Sequence, residues 1–201
     1  VVDGCTVTGR LELLPVTGTR YVAFVDPSGS SADSMTLAIA HLAGDARVLD
    51  ALREIRPPFS PEAAVTEFAA LLKSFGLHEV TGDRYAGEWP RERFRVAGIA
   101  YKISEKAKIE IYRDCLPLLN AGKAELLDLP RLASQLCGLE RRTARGGRDS
   151  IDHPPGGHDD LANAAAGALL LVNARRLLRI SDEALAASRR PGRSGFRCFG
   201  W

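Results

Sequence analysis

Apolar residues occur in two spacings along the chain, and together they predict a mixed α/β protein. The run Tyr21–Asp26 is apolar and ends on a carboxylate just before Pro27, which is typical of a buried strand that leads into an open loop. Further strands are predicted over the ranges 34–42, 46–55, 78–83, 99–102 and 124–127. Because short turns join the first three strands, we predict that these pair in antiparallel fashion.

Apolar residues at helical spacing predict helices over the ranges 60–76, 88–96, 104–122, 129–139 and 158–180. Ser60 is the predicted N-cap of the first helix, with Pro61 in its first turn and Gly76 after its end. Ser104 is the predicted cap of the third helix. The residues of that helix predicted to face the core are Ile109, Tyr112, Leu116 and Leu119. The last helix is apolar almost all round in its first half, so we expect it to be buried on more than one side.

Length and composition indicate one soluble globular domain with short appendages. With 45% hydrophobic and 26% charged residues, a chain of 201 residues can build an ordinary core. No apolar run approaches the ~20 residues that span a bilayer, and the N-terminus lacks the pattern of a secretory signal. We predict a leader or edge segment over 1–19, a domain over 20–180 and a basic, flexible tail over 181–201. The start without methionine suggests a fragment of a longer protein.

Aspartates lie at the end of two predicted strands and at the start of one predicted helix. Asp26 ends the first strand, Asp83 ends the strand over 78–83, and Asp159 with Asp160 opens the longest helix. Each of these acids has a plain structural explanation, since aspartate is common in turns and in first helical turns. Clustered carboxylates repel one another unless cations share the site. The occurrence of all three therefore favours an acidic pocket that holds divalent metal ions.

Three sequence blocks, in this order, resemble the nuclease domain of the large terminase subunit of tailed bacteriophages. They read FVDPSGSSADSMTLAIAH, VTGDRYAGEW and GHDDLANAAAGALLL, and the resemblance covers roughly residues 20–175. It implies an α/β, ribonuclease H-like fold, with a mixed β-sheet flanked by helices on both faces. It also implies a virus-encoded or prophage-derived endonuclease in the host cytoplasm, which cuts double-stranded viral DNA during genome packaging.

The resemblance carries the metal-binding role over to individual residues. Asp26 matches the acid of the first strand, Asp83 matches the acid of the GDRYAG block, and the HDD block supplies the third carboxylate. In this family the third acid opens a helix before a Leu/Ala run, which favours Asp160, with Asp159 as the close second. The implied cofactors are two Mg²⁺ or Mn²⁺ ions, and the implied reaction is phosphodiester hydrolysis. His158 is a candidate for orienting a water molecule, although a helix-terminal residue without a chemical role is the simpler interpretation.

Basic residues near these blocks are candidate contacts to DNA phosphates. They are Arg84, Lys102, Lys106, Arg141, Arg142, Arg145 and Arg148. The last four lie in the stretch 140–157, which contains glycines and for which we predict a flexible hairpin. Phosphate contacts do not depend on the base sequence and weaken steeply with salt. For Lys106 and its neighbour Lys108, a solvated helix face is an equally good explanation.

The resemblance covers the nuclease half of the packaging motor and not the ATPase half, because no phosphate-binding loop of the form G-x-x-x-x-G-K-[ST] occurs in the sequence. The partners that it implies are double-stranded DNA, the terminase ATPase domain, the small terminase subunit and the portal, with no membrane partner. One alternative is another ribonuclease H-like nuclease, such as a junction resolvase or an RNase H. Another is a catalytically inert module that binds the packaging motor.

Overall fold

A six-stranded mixed sheet forms the centre of the protein, and helices cover both of its faces. The computed structural model describes residues 1–27, 34–83, 89–143 and 149–176. The strands are β1 (Tyr21–Asp26), β2 (Met35–Ala43), β3 (Ala46–Ile55), β4 (Glu79–Gly82), β5 (Ala100–Ile103) and β6 (Ala124–Glu125). Their order across the sheet is β5-β4-β1-β2-β3-β6. The predicted fold class, a mixed sheet with helices on both faces, is confirmed.

The helices are α1 (Val2–Cys5), α2 (Pro61–Ser74), α3 (Trp89–Val96), α4 (Lys108–Asn120), α5 (Pro130–Cys137) and α6 (Asp160–Arg176). All five predicted helices are present, and α1 is an addition that the sequence did not predict. A two-stranded hairpin of β7 (Glu140–Thr143) and β8 (Asp149–Asp152) confirms the hairpin predicted within 140–157. The end of the longest predicted helix, 177–180, and the predicted tail, 181–201, lie outside the described residues. Among the described helices, none combines the length and apolar character needed to cross a bilayer.

The side chains of β1 alternate between the two cores of the protein. Tyr21, Ala23 and Val25 pack on the face that α2 and α3 cover, whereas Val22 and Phe24 pack on the face that α6 covers. Successive residues of a strand point to opposite faces of the sheet. Asp26 therefore belongs to the α6 face, at the end of a strand that is otherwise fully buried.

The C-terminal end of β1 meets the end of β4 at one place in the sheet. β1 pairs in parallel with β4, with Val25 opposite Gly82, after the crossover through α2 that the sequence predicts. β1 pairs in antiparallel fashion with β2, with Asp26 opposite Thr36. Parallel neighbours end at the same edge of a sheet, so Asp83, which follows β4, arrives beside Asp26.

Helix α6 crosses the sheet at close range because Gly167 faces Phe24. A Cβ atom at position 167 would lie 2.5 Å from Cγ of Phe24, a ring that is only 1% exposed. The neighbouring small residues of α6 that are buried are Ala162, Ala164, Ala165, Ala166 and Ala168. The predicted burial of this helix on more than one side is confirmed, and the small residues also let it approach the sheet closely.

The variant Gly167→Ala is expected to lower the free energy of unfolding by about 1–3 kcal/mol, because its methyl group overlaps a ring that has no room to move. This cost should outweigh the gain of up to about 1 kcal/mol that alanine brings to a helix interior. Urea unfolding measures the difference. Gly4→Ala in α1 is the matched control, since a Cβ there meets nothing within 4 Å. A Gly167→Ala variant as stable as the wild type would contradict the close packing of α6.

Helix α4 begins later than the sequence predicts, at Lys108 rather than directly after Ser104. The Ser104 hydroxyl accepts a hydrogen bond from the backbone N–H of Lys106 at 3.2 Å, so it closes a turn ahead of the helix. The helix itself starts where the backbone N–H of Ala107 donates to Glu110 Oε2 at 2.8 Å. The predicted cap was wrong because serine stabilises such short turns as readily as it caps helices.

The buried face of α4 also differs in part from the prediction. Tyr112 and Leu119 are buried as expected, but Ile109 and Leu116 are 40% and 52% exposed. The other buried residues of this helix are Ile111 and Cys115. Apolar residues occur on more than one face of α4, so the helical period alone could not identify the face that packs on α6.

Candidate metal centre

Two hydrogen bonds fix the start of α6 to the ends of β1 and β2. Asn163 Nδ2 donates to Asp26 Oδ2 at 2.7 Å, and Thr36 Oγ1 donates to the backbone carbonyl of Asp160 at 2.8 Å. Thr36 lies opposite Asp26 in the β1–β2 register. The first turn of α6 is therefore held over the C-terminal end of β1, and this brings Asp160 and Asp26 together.

Asp83 joins the same group from β4. Its backbone N–H donates to the carbonyl of Val25 at 3.3 Å, and its own carbonyl accepts from Tyr101 Oη at 3.3 Å. The charges of Asp83 and Asp160 both act on the Asp26 carboxylate. The structure therefore gathers the three aspartates, which lie far apart in sequence, in one electrostatic neighbourhood. We call Asp26, Asp83 and Asp160 the acidic centre.

Burial raises the pKa of Asp26 to about 7, although the hydrogen bond from Asn163 acts in the opposite direction. The negative charges of Asp83 and Asp160 raise this pKa further, and the positive charge of Lys108 lowers it. Without a cation, the neighbouring carboxylates thus disfavour the ionised form of Asp26. A divalent cation would oppose this effect because it favours the ionised form of every carboxylate near it.

The donor atoms at the acidic centre suit a hard divalent cation. Carboxylate oxygens are the ligands that Mg²⁺ and Mn²⁺ prefer. Asn163 adds an amide oxygen, since its Oδ1 is buried and accepts no hydrogen bond from the part of the chain that the structure describes. The residues at the acidic centre therefore fit the metal ions that the sequence predicts.

Asp159 lies in a different environment from its neighbour Asp160. Its carboxylate is 2% exposed and accepts hydrogen bonds from Lys108 Nζ at 2.7 Å and from Tyr112 Oη at 2.8 Å. Burial lowers the pKa of Lys108, but the hydrogen bond and the charge of Asp159 outweigh this and raise it, so the ammonium stays charged. Asp159, the second candidate after Asp160 for the third metal-binding acid, is thus bound to α4 by an ion pair with Lys108.

A further cluster of possible metal ligands surrounds this ion pair. Asp152, His153 and Asp159 each offer a ligand atom, and these atoms all lie within 4.8 Å of one another. Lys108 Nζ is 2.6 Å from Asp159 Oδ2 and 3.7 Å from Asp152 Oδ1. A protein cation therefore already pairs with the carboxylates of this cluster. We call Lys108, Asp152, His153 and Asp159 the lysine cluster.

Asn163 and Thr36 contact the acids of the site but were not predicted as site residues. Lys108 was considered only as a phosphate contact or as part of a solvated helix face, and it instead pairs with buried Asp159. Asn163 lies three residues after Asp160, the spacing that places two side chains on one helical face, and this signal could have identified it. Thr36 and Lys108 are remote in sequence from the acids that they contact, so no local pattern marks them.

His158 lies near Asp160 at the start of α6. Its Nδ1 is 3.9 Å from Asp160 Oδ2, and its side chain is 50% exposed. This distance allows an electrostatic attraction but is too long for a hydrogen bond. The placement is compatible with both interpretations that the sequence leaves open, the orientation of a water molecule and an ordinary helix-terminal residue.

The predicted DNA-contacting residues within the described ranges lie on the surface, and three of them pair with acids. Lys102 Nζ on β5 is 2.6 Å from Glu79 Oε2, Lys106 contacts Asp114, and Arg142 in β7 is 2.8 Å from Glu140 Oε2. Arg141 is also exposed on β7. Arg84, Arg145 and Arg148 lie outside the described residues. The hairpin adjoins the site through Asp152, the last residue of β8.

The fold is similar to that of phage large terminases. The large terminase nuclease from thermophilic phage G20c with bound magnesium is 18% identical, with a TM-score of 0.68 over 84% of this chain and 94% of that one. The nuclease domain of the large terminase subunit gp2 of bacterial virus Sf6 is 14% identical, with a TM-score of 0.63 over 84% and 95%. The HK97 bacteriophage large terminase is 15% identical, with a TM-score of 0.64 over 83% of this chain and 41% of that one.

Related structures contain other divalent metals: the G20c nuclease has been solved with bound cobalt, and a mutant of the Sf6 nuclease domain with manganese and beta-thujaplicinol. No protein-family model and no curated protein matches the chain by sequence. At identities below 20%, the structural likeness shows the fold. The resemblance to terminase nucleases is thereby confirmed at the level of structure.

Proposed function

We propose that this chain is a metal-dependent endonuclease that cuts double-stranded viral DNA during genome packaging, as the nuclease part of a large terminase. One observation carries this proposal. Asp26, Asp83 and Asp160 come from three separate elements and meet at the start of α6. They do so on a fold shared with nucleases whose structures contain bound magnesium, cobalt or manganese.

Asp26, Asp83 and Asp160 are the residues that would hold two Mg²⁺ or Mn²⁺ ions. When bound, the ions would supply a hydroxide-like nucleophile and neutralise charge on the leaving oxygen, so no separate strong base is required. Asn163 holds the Asp26 carboxylate in place through its hydrogen bond. Thr36 fixes the backbone of Asp160, so the position of the third acid depends on the sheet as well as on the helix.

The surface around the site has basic residues that could follow a DNA backbone. Lys102 on β5 and Lys106 just before α4 belong to one side, and Arg141 and Arg142 to the hairpin. The acidic partners of Lys102, Lys106 and Arg142 are exposed or partly exposed, so phosphates can compete for these side chains at small cost. Arg84, Arg145 and Arg148 are further proposed contacts from outside the described ranges.

The proposed setting is the cytoplasm of the infected host. The chain spans 41% of the HK97 large terminase, which leaves room in a protein of that size for an ATPase domain. The ATPase domain, the small terminase subunit and the portal are the proposed partners besides DNA. Because the proposed DNA contacts are to phosphates, we expect cleavage with little sequence preference. We also expect DNA binding, and with it cleavage, to weaken as the salt concentration rises.

Cleavage of supercoiled plasmid tests the proposal. With Mn²⁺ the wild-type chain should nick and linearise the plasmid, and chelator should stop the reaction. Asp83→Ala should lower the rate by roughly a hundredfold or more, because it removes one charge from the acidic centre. Asp45→Ala is the matched control, since this exposed acid lies in the β2–β3 turn, at the opposite end of β2 from Thr36.

Cutting by Asp83→Ala at the wild-type rate would contradict the proposed site. A four-way DNA junction is the informative second substrate. Preference for the junction over linear duplex would identify a resolvase in place of a packaging nuclease. Absence of both cutting and Mn²⁺-induced stabilisation would identify an inert binding module.

A further inference from the structure

We infer that Lys108 is a positioning residue that keeps Asp159 out of the acidic centre and so assigns metal binding to Asp160. The inference rests on the proposed metal-dependent function. Adjacent acids at the start of α6 leave open which of them binds a cation, and both carry the same charge. The structure separates them through side chains of α4, of which Lys108 alone carries a charge.

Lys108 binds both oxygens of Asp159, with Nζ 2.7 Å from Oδ1 and 2.6 Å from Oδ2. Tyr112, one turn further along α4, donates its hydroxyl hydrogen to Oδ2 of the same carboxylate at 2.8 Å. Every oxygen of Asp159 therefore has a donor on α4. A metal ion at Asp159 would therefore have to share these oxygens with the Lys108 ammonium, whose positive charge repels it.

The ion pair also has an electrostatic consequence for the neighbouring site. Asp159 is buried, and a buried carboxylate without a partner is strongly unfavourable. Without Lys108, Asp159 would attract a divalent cation, either to the acidic centre or to the remaining residues of the lysine cluster. The ligand atoms of Asp152, His153 and Asp159 are close enough together to share such an ion.

Lys108 therefore occupies a position at which a metal ion, if one bound there, would lie outside the acidic centre. Its removal should leave metal binding intact while it disturbs where the metal sits relative to Asp26 and Asp160. This separates a positioning role from a purely structural one. A structural role alone would change stability and would leave the rate per folded molecule unchanged.

The test compares Mn²⁺ binding, measured by the loss of the free-ion electron paramagnetic resonance signal, with plasmid cleavage. Lys108→Met should bind Mn²⁺ within about threefold of the wild-type affinity or more tightly, because a positive charge is removed. Its cleavage rate should fall at least about tenfold, the range seen when groups that orient metal ligands are lost. Lys108→Arg should retain most activity, and Lys123→Met, an exposed lysine in the turn between α4 and β6, should retain all of it.

The decisive variant combines Lys108→Met with Asp159→Asn. It removes the buried charge pair as a whole, which is far less disruptive than removal of one partner. Cleavage should return to within about threefold of Asp159→Asn alone, because no second carboxylate competes for the metal. Wild-type cutting by Lys108→Met, or a folded double variant as inactive as Lys108→Met, would overturn the inference. A wild-type chain that binds no Mn²⁺ would overturn the proposed function itself, and this inference with it.

Discussion

Asp26→Asn is expected to lower metal-dependent DNA cleavage by roughly a thousandfold. Asp26 is the central residue of the acidic centre, because Asn163 donates a hydrogen bond to it and the charges of both Asp83 and Asp160 act on it. Asparagine has almost the same shape and can still accept the Asn163 hydrogen bond. The loss therefore reports the negative charge rather than a change in packing.

The same variant should be more stable than the wild type when no metal is present. The pKa of Asp26 is raised to about 7 in the folded chain, far above the value near 4 that is usual for an unfolded aspartate. The folded state therefore binds the proton more tightly, and wild-type stability falls as pH rises from about 4 to about 7. Asparagine removes this decline, so the variant should gain about 4 kcal/mol at pH 8 and almost nothing at pH 4.

Thermal unfolding in chelator at pH 4 and pH 8, repeated at pH 8 with Mn²⁺, measures both effects. Mn²⁺ should stabilise the wild type and leave Asp26→Asn unchanged, because the ligand binds the native site only when the charge is present. Asp45→Asn is the control for a general effect of charge removal. An Asp26→Asn variant that is less stable than the wild type in chelator at pH 8 would contradict the assigned environment of Asp26.

Asp160→Asn and Asp159→Asn should have opposite effects on activity and stability, although the two residues are neighbours. Asp160→Asn should abolish cleavage and Mn²⁺-induced stabilisation, and should change metal-free stability little. Asp159→Asn should cost about 3–5 kcal/mol of unfolding free energy, since it leaves the partly buried ammonium of Lys108 without its main partner. It should still cut DNA in the presence of Mn²⁺.

Chemical denaturation and plasmid cleavage on both variants measure this contrast. Tyr112→Phe serves as a milder probe of the Asp159 environment, because it removes one hydrogen bond and keeps the ring in the core. It should cost about 1 kcal/mol and preserve cleavage. If Asp159→Asn is inactive and stable while Asp160→Asn cuts normally, the assignment of the two acids is reversed.

Much of the fold could be predicted because local signals and tertiary packing agree. The N-cap at Ser60, which accepts a hydrogen bond from the backbone N–H of Ala63, follows from a local sequence signal. The parallel pairing of β4 with β1 follows from the order of the elements, because a helix crosses over between the two strands. Helix α4 was less predictable. Its apolar residues occupy more than one face, and Ser104 stabilises a turn instead of the helix start.

From the sequence, the candidate site could be predicted only because each acid lies at the end or at the start of a regular element. Asp26 and Asp83 meet because the parallel strands β1 and β4 end at one edge of the sheet, and Asp160 joins them because α6 begins over that edge. The separate environment of Asp159 depends on Lys108, which lies 51 residues earlier in the chain. Pairwise contacts at that separation have no local sequence signal, so the choice between the two acids needed the structure.

Anomalous scattering from crystals soaked in Mn²⁺ tests the central claim most directly, because it locates the metal among named side chains. We predict manganese bound by the carboxylates of Asp26, Asp83 and Asp160 at the start of α6, with the ion pair between Lys108 and Asp159 intact. Manganese found only among Asp152, His153 and Asp159, or no manganese at the acidic centre, would contradict the account.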